Sequence, residues 1–163
     1  MIRLYGQRGF TLIEVMVALV VLAIGLLGMA TLMMQSMQSS ESAYSRSQAT
    51  ILAYDILERM RANKVASTDA RISFNVPLAS QNSAYVYSYS ASGNCPSGGN
   101  AAATGTPKAT ADLASWCQQI RATLPSVQSA SIARPGSGTR YLIVVSWQDP
   151  GDEVGEVRVE AEL

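Results

Sequence analysis

Residues 8–14 read Arg-Gly-Phe-Thr-Leu-Ile-Glu, and an uncharged apolar run, residues 15–34, follows at once. The chemistry this junction can do is charge pairing. Glu14 is a lone carboxylate at the head of a membrane-length apolar segment, where an acidic residue costs roughly 2.5–3.5 kcal/mol on insertion scales for a central position. A carboxylate kept there calls for a positive partner supplied from outside the segment. Cys95 and Cys117, the 2 cysteines of the chain, are the other reactive pair. The sequence contains 0 histidines, which removes Ser-His-Asp and Cys-His nucleophile activation, the His-Glu-x-x-His helix and most zinc sites. It also lacks a Gly-x-x-x-x-Gly-Lys phosphate loop, a Gly-x-Ser-x-Gly elbow, Ser-x-x-Lys and Cys-x-x-Cys. Neither catalytic residues nor a cofactor or metal site is expected, and only carboxylate chemistry would leave room for an enzyme.

The elements that must position Glu14 follow from hydropathy and charge. Residues 15–34 span about 30 Å as a helix, the thickness of a bilayer's hydrocarbon core, so one crossing is predicted. Arg3 and Arg8 precede it and would stay cytoplasmic by the positive-inside tendency, placing the rest of the chain outside the inner membrane. Gly25 and Gly28 lie three apart, where small residues admit a neighbouring backbone, although glycine is also simply common in membrane helices. After residue 34 the polarity rises, yet no Pro or Gly occurs between Met29 and Asn63. One helix of about fifty residues is therefore expected. Leu52, Ile56 and Met60, with Ala49 and Ala53 beside them, form its core stripe. Asp55–Arg59 and Glu58–Arg61 are helical ion pairs worth about 0.2–0.5 kcal/mol each, and Arg59, Arg61 and Lys64 suit the negative end of the helix dipole.

The chain has 163 residues, room for the membrane helix and one soluble domain with a modest core. Basic and acidic residues number 12 each. Loss of residues 1–9 would remove Arg3 and Arg8 and leave a weakly acidic chain, without the basic patch that nucleic-acid binding requires. Residues 83–90 place Tyr85, Tyr87 and Tyr89 on one face of a candidate strand. Residues 91–107 are small or turn-forming and read as a loop. Residues 110–124 return to helical period, with Leu113, Trp116, Cys117, Ile120 and Leu124 on one side, Asp112 in the first turn and Pro125 as terminator. This helix is expected to pack on a sheet. Strands are expected at 127–133, 141–147 and 154–163, joined by turns at Pro135-Gly136-Ser137-Gly138 and Asp149-Pro150-Gly151-Asp152. The middle strand is apolar on both faces and should be central. The last alternates Val157, Val159, Ala161 and Leu163 with Glu156, Arg158, Glu160 and Glu162, a half-solvated edge whose charges discourage uncontrolled strand addition. The sum is one α+β fold: a long N-terminal helix packed on an antiparallel meander of three to four strands with one small helix.

Arg8-Gly9-Phe10-Thr11-Leu12-Ile13-Glu14-Val15 resembles the class III signal of type IV pilins and type II secretion pseudopilins. It joins a short basic leader, a Gly before the cut, an aromatic after it, a Glu at mature position five and a full apolar span. Ala23-Ile24-Gly25-Leu26-Leu27-Gly28, Asp112-Leu113-Ala114-Ser115-Trp116 with Leu124-Pro125, and Val144-Val145-Ser146-Trp147-Gln148-Asp149 are similar to PilV-like minor pilins. The chain departs from major pilins in having Thr31 and two glycines where a mid-helix Pro would stand, and in lacking a Cys pair that brackets the C-terminal region.

The resemblance implies cleavage between Gly9 and Phe10 by a prepilin peptidase, which also N-methylates Phe10. Glu14 would then pair with a terminal amine during docking, on a neighbouring subunit or, four residues away, on its own chain. The implied division is a leader at 1–9, a transmembrane and assembly helix at 10–34 and a periplasmic pilin domain at 35–163 that includes the second half of the long helix. The implied role is a minor pilin that helps initiate a type IV pilus and sits at or near its tip. Its partners would be other minor pilins, the major pilin, a tip adhesin and the inner-membrane assembly platform. An I-type minor pseudopilin of type II secretion is the alternative within this class; a signal-anchored periplasmic enzyme or sensor is the alternative outside it. An adhesive role would place its surface at 85–107. Because both cysteines lie on the expected periplasmic side, an oxidising compartment, a Cys95–Cys117 disulfide is expected, the alternative being two free thiols or an inert buried Cys117.

Overall fold

The computed structural model describes residues 9–136, 138–151 and 153–163. Arg3, Arg8, Ser137 and Asp152, which the expected leader and turns contain, lie outside the described residues. The chain divides into two units, Met1–Ser40 and Glu41–Leu163. Helix α1, Leu12–Ala62, runs through both. Its length follows from the absence of breakers after Gly28; where a proline would remove a helical hydrogen bond, Thr31 instead returns its hydroxyl to the Gly28 carbonyl at 2.8 Å.

Within the first unit, every residue of α1 is exposed to its surroundings. Within the second unit, α1 is one-sided. Ala49, Leu52, Ala53, Ile56, Leu57 and Met60 are buried, while Tyr44, Ile51 and Tyr54 on other faces are exposed. The helix ends where the Asn63 N–H closes the last bond to the Arg59 carbonyl. Arg59 and Arg61 occupy the last turn, and their expected partners are in place: Arg59 Nε to Asp55 at 2.8 Å and Arg61 to Glu58 at 2.6 Å.

A small antiparallel pair, β1 (Lys64–Ala66) and β2 (Asn75–Pro77), follows, then a single turn, α2 (Leu78–Gln81). The sequence reading anticipated none of these, because each is too short to establish a period. Tertiary bonds hold them instead: the Asn63 carbonyl accepts from the Leu78 N–H at 2.8 Å, and the Tyr141 hydroxyl reaches the Ala79 and Asn82 carbonyls at 2.8 and 2.7 Å.

The main sheet has the order β3-β4-β5-β6, antiparallel throughout, from β3 (Tyr87–Ser90), β4 (Val127–Ala133), β5 (Arg140–Gln148) and β6 (Val154–Glu162). The strand expected from residue 83 begins only at Tyr87. Tyr85 lies in the preceding turn, where its ring is buried and its hydroxyl is held by a side chain of α3 (Thr106–Thr123). β5 is interior, as its apolar sequence implies. Tyr141, Ile143, Val145 and Trp147 are buried on one face; Leu142 and Val144 on the other are half-buried. A register shift between Val127 and Ser129 interrupts the β4–β5 ladder, whereas the β5–β6 ladder is continuous from Arg140↔Glu162 to Gln148↔Val154. At Trp147↔Gly155 the indole lies against the strand so closely that a Cβ on Gly155 would stand 2.4 Å from the ring, so only glycine fits.

Helix α3 starts four residues earlier than the reading had it, because Gly105, at φ 76°, and Pro107 open it. Asp112 therefore sits in the second turn rather than the first. The expected apolar side, Leu113, Trp116, Cys117 and Ile120 with Leu124 beyond, is buried as a set. Its most specific tie, however, is to α1 rather than to the sheet: Trp116 Nε1 donates to the Leu52 carbonyl at 2.8 Å. One core joins the stripe of α1, the inner face of the sheet and α3, giving the α+β, pilin-like layout.

Candidate processing and assembly site

The N-terminal site is built from Gly9, Phe10, Thr11 and Glu14. The Thr11 carbonyl accepts from the Glu14 N–H at 3.1 Å and the Val15 N–H at 3.3 Å, so Thr11 stands at the N-cap and Leu12 opens the helix. Glu14 then falls at the third helical position. Thr-x-x-Glu at those positions is the capping-box spacing, a signal visible in the sequence beside the charge itself. A carboxylate there also suits the positive end of the helix dipole. Glu14 is thus placed favourably for helix initiation and unfavourably for lipid at once. Among the described residues its carboxylate forms no ion pair or hydrogen bond.

Phe10, Glu14, Val15, Ala18, Leu19 and Leu22 line one shallow groove along the helix. Apart from the carboxylate their side chains are apolar. An 18-residue apolar window of α1, with none of it buried, is long enough to cross a membrane. Gly25 and Gly28 have open space where a Cβ would stand, so packing within this chain requires neither to be glycine.

The second site residues, Cys95 and Cys117, are joined at 2.00 Å across a separation of 22 residues. The bond fastens the loop after β3 to the buried side of α3. Closing a loop of this size stabilises a fold by about 3 kcal/mol in the chain-entropy argument. The Tyr87 hydroxyl lies 3.6 Å from Cys117 Sγ.

A buried polar cluster completes this anchorage and was not anticipated. Asn63 donates from Nδ2 to the Gly105 carbonyl at 2.8 Å and accepts at Oδ1 from the Gly105 N–H at 2.8 Å, as a backbone neighbour would. Its Nδ2 also donates to the Tyr85 hydroxyl at 3.1 Å, and that hydroxyl donates to Asp112 Oδ2 at 2.6 Å. Arg59 approaches Asp112 Oδ1 at 3.9 Å. Every buried side-chain polar atom among the described residues has a partner, so the cluster specifies geometry at little desolvation cost. Burial, and after it the bond to Asp112, push the Tyr85 hydroxyl well above its ordinary range. Asp112 and Asn63 had read as helix-end residues; only the tertiary partners reveal their role. With Tyr85 and Tyr89 buried, two of the three alternating tyrosines belong to the core and not to a surface.

Residues 4–30 match the family described as the prokaryotic N-terminal methylation motif. No curated protein and no solved structure matches the chain. The motif supports a type IV pilin-like class III signal, and with it a pilin- or pseudopilin-type protein. It implies processing by a prepilin peptidase and assembly at the membrane, and it speaks for a structural protein rather than an enzyme. The one helix among the described residues that is long and apolar enough to cross a membrane is consistent with anchoring in the inner membrane.

Proposed function

We propose that the chain is a minor pilin of a type IV pilus that helps initiate assembly and resides at or near the tip. The observation that carries this reading is the junction itself: a methylation motif over residues 4–30 whose one helical carboxylate, Glu14, has no partner among the described residues and heads an uncovered apolar helix. On this reading residues 1–9 are a leader, 10–34 anchor the subunit in the inner membrane and later line the filament, and 35–163 form a periplasmic domain. Prepilin peptidase cuts between Gly9 and Phe10, and methylation of the new Phe10 amine follows. Before the cut the Phe10 nitrogen is an uncharged amide; after it, an ammonium group is available to neutralise Glu14 in a neighbouring subunit as the helix leaves lipid. The unbroken helix at Thr31, together with the PilV-like segments around Trp116 and Trp147, favours a minor over a bulk subunit. Other minor pilins, the major pilin, a tip adhesin and the assembly platform are the partners this role requires.

The test compares wild type with Glu14→Ala. Mass spectrometry of membrane-extracted protein should find a methylated Phe10 terminus in both, whereas co-purification with sheared pili should fall at least about tenfold in the variant, as loss of a buried charge pair of a few kcal/mol implies. Deletion should lower pilus number out of proportion to the trace amount of protein present. An intact Met1 terminus, or undiminished incorporation of Glu14→Ala, would overturn the reading. Normal piliation with defective protein secretion would assign the chain to the I-type pseudopilin role.

A further inference from the structure

The two ends of the main sheet differ in how they are finished. β3 has 4 residues, whereas β6 has 9 and, among the described residues, pairs on one side only, with β5. The Asp149 N–H bonds the Glu153 carbonyl at 2.7 Å and the Leu163 N–H bonds the Thr139 carbonyl at 3.0 Å, at the two ends of one continuous register. Bonded pairs in an antiparallel ladder recur every second residue, so Gly155, Val157, Val159 and Ala161 direct their backbone groups to β5. Val154, Glu156, Arg158, Glu160 and Glu162 must then direct theirs away from the sheet. The side chains of the same five residues are all exposed.

Natural sheets blunt such an edge by shortness, proline, a bulge, an inward-pointing charge or charged side chains along it. β6 has only the last, at Glu156, Arg158, Glu160 and Glu162, which discourage indiscriminate strand addition without closing the edge to a strand of complementary charge; it is longer than a typical strand, its register with β5 is unshifted, and its inward residues are Gly155, Val157, Val159 and Ala161. Those valines and Ala161 remain only partly buried against the core, so a further strand with apolar residues on that face would cover them. On its outer face β6 carries three glutamates against one arginine, with Arg140 of β5 opposite Glu162. Arg158 is engaged by Glu156, and Glu162 accepts from the Thr139 hydroxyl.

We propose that β6 is a docking edge that accepts an extended segment of another protein as a fifth strand, the segment alternating apolar residues with lysine or arginine. Main-chain bonds to the five outward residues provide the attachment and the acidic outer face selects the sequence. A second copy of this chain fits poorly. The antiparallel register overlapping all five outward residues sets Glu156 against Glu160 and Arg158 against Arg158, and like charges directly opposite are destabilising. The inference goes beyond the pilus reading and does not depend on Glu14 or the leader.

Amide hydrogen exchange on the full chain in detergent micelles tests it, with a short synthetic peptide alternating valine and lysine as the probe. Exchange at Glu156, Arg158, Glu160 and Glu162 should be fast in the free chain and slow by about tenfold or more with the peptide. The same peptide N-methylated at alternate amides, and a valine–glutamate peptide, should give no protection. Arg158→Pro removes an N–H that faces the open edge rather than β5, a place where sheets tolerate proline. It should abolish the effect and leave the thermal midpoint within about 2–4 °C. Absence of protection, equal protection by the N-methylated peptide, or amides already protected in a concentration-dependent way in the free chain would each overturn the proposal, the last by giving the edge to a second copy.

Discussion

The two halves of α1 share one backbone geometry and differ in what they bury. From Leu12 to Ser40 the helix is apolar on all sides through its first turns and buries nothing; from Glu41 to Ala62 it buries one stripe and leaves the remainder to water. An all-round apolar helix belongs in lipid or inside a bundle, and a one-sided helix on the surface of a domain. The lesson is that periodicity, not helicity, separates the anchor from the fold. The second half takes its partners from this chain, while the first half has none among the described residues.

Trp116→Ala should test the dependence of the second half most severely. The indole is fully buried and bonds the Leu52 carbonyl, so truncation should cost about 3–5 kcal/mol in denaturant unfolding. Retention in the membrane fraction should be unchanged, since the anchor does not use this contact. Loss of retention together with stability would break the comparison.

A paired substitution sharpens it along a single helix. Ile56 is 0% exposed and Ile51 is 58% exposed. Ile56→Ala should destabilise by about 2–5 kcal/mol, whereas Ile51→Ala should stay within about 0.5 kcal/mol. Urea midpoints of the two variants provide the measurement, and similar losses would mean that the exposed face is covered in solution.

The smallest expected effect concerns pH. Burial raises the Tyr85, Tyr87 and Tyr141 hydroxyls above the ordinary value of 10.0, with the Asp112 bond adding to the rise at Tyr85 and the charge of Arg134 opposing it at Tyr141. The folded state holds these protons more tightly than the unfolded one. Their contribution is therefore complete below the unfolded value and declines as pH rises above about 10. Tyr85→Phe should cost about 1–3 kcal/mol at neutral pH through the unsatisfied Asp112 and Asn63. It should also flatten the alkaline decline, as urea midpoints at a series of pH values would register.

Long, periodic elements were legible in the sequence. The fifty-residue helix, its stripe of Leu52, Ile56 and Met60, the apolar side of α3 and the last three strands all rest on repeats long enough to average over local propensity. Short pieces were not. β1, β2 and α2 have no period to read, and residues 83–86 alternate like a strand although Tyr85 is drawn inward from a turn by Asp112. The assembly junction was visible because its residue types conflict with their setting, a carboxylate beside lipid-like sequence. Asn63 and Asp112 were not, since nothing local to a polar residue at a helix end announces a partner tens of residues away.

The chain's 2 tryptophans both lie in the Glu41–Leu163 unit, buried, with Trp116 bonded to the Leu52 carbonyl and Trp147 to Asp149 at 2.7 Å. Intrinsic fluorescence is therefore a local instrument. Excitation of tryptophan observes the folded unit alone, shielded from solvent quenchers until that unit opens. The apolar end of α1 contributes no indole signal whether it sits in micelle, bilayer or filament. Emission and quenching can thus follow folding of the globular unit while the surroundings of the anchor are changed at will.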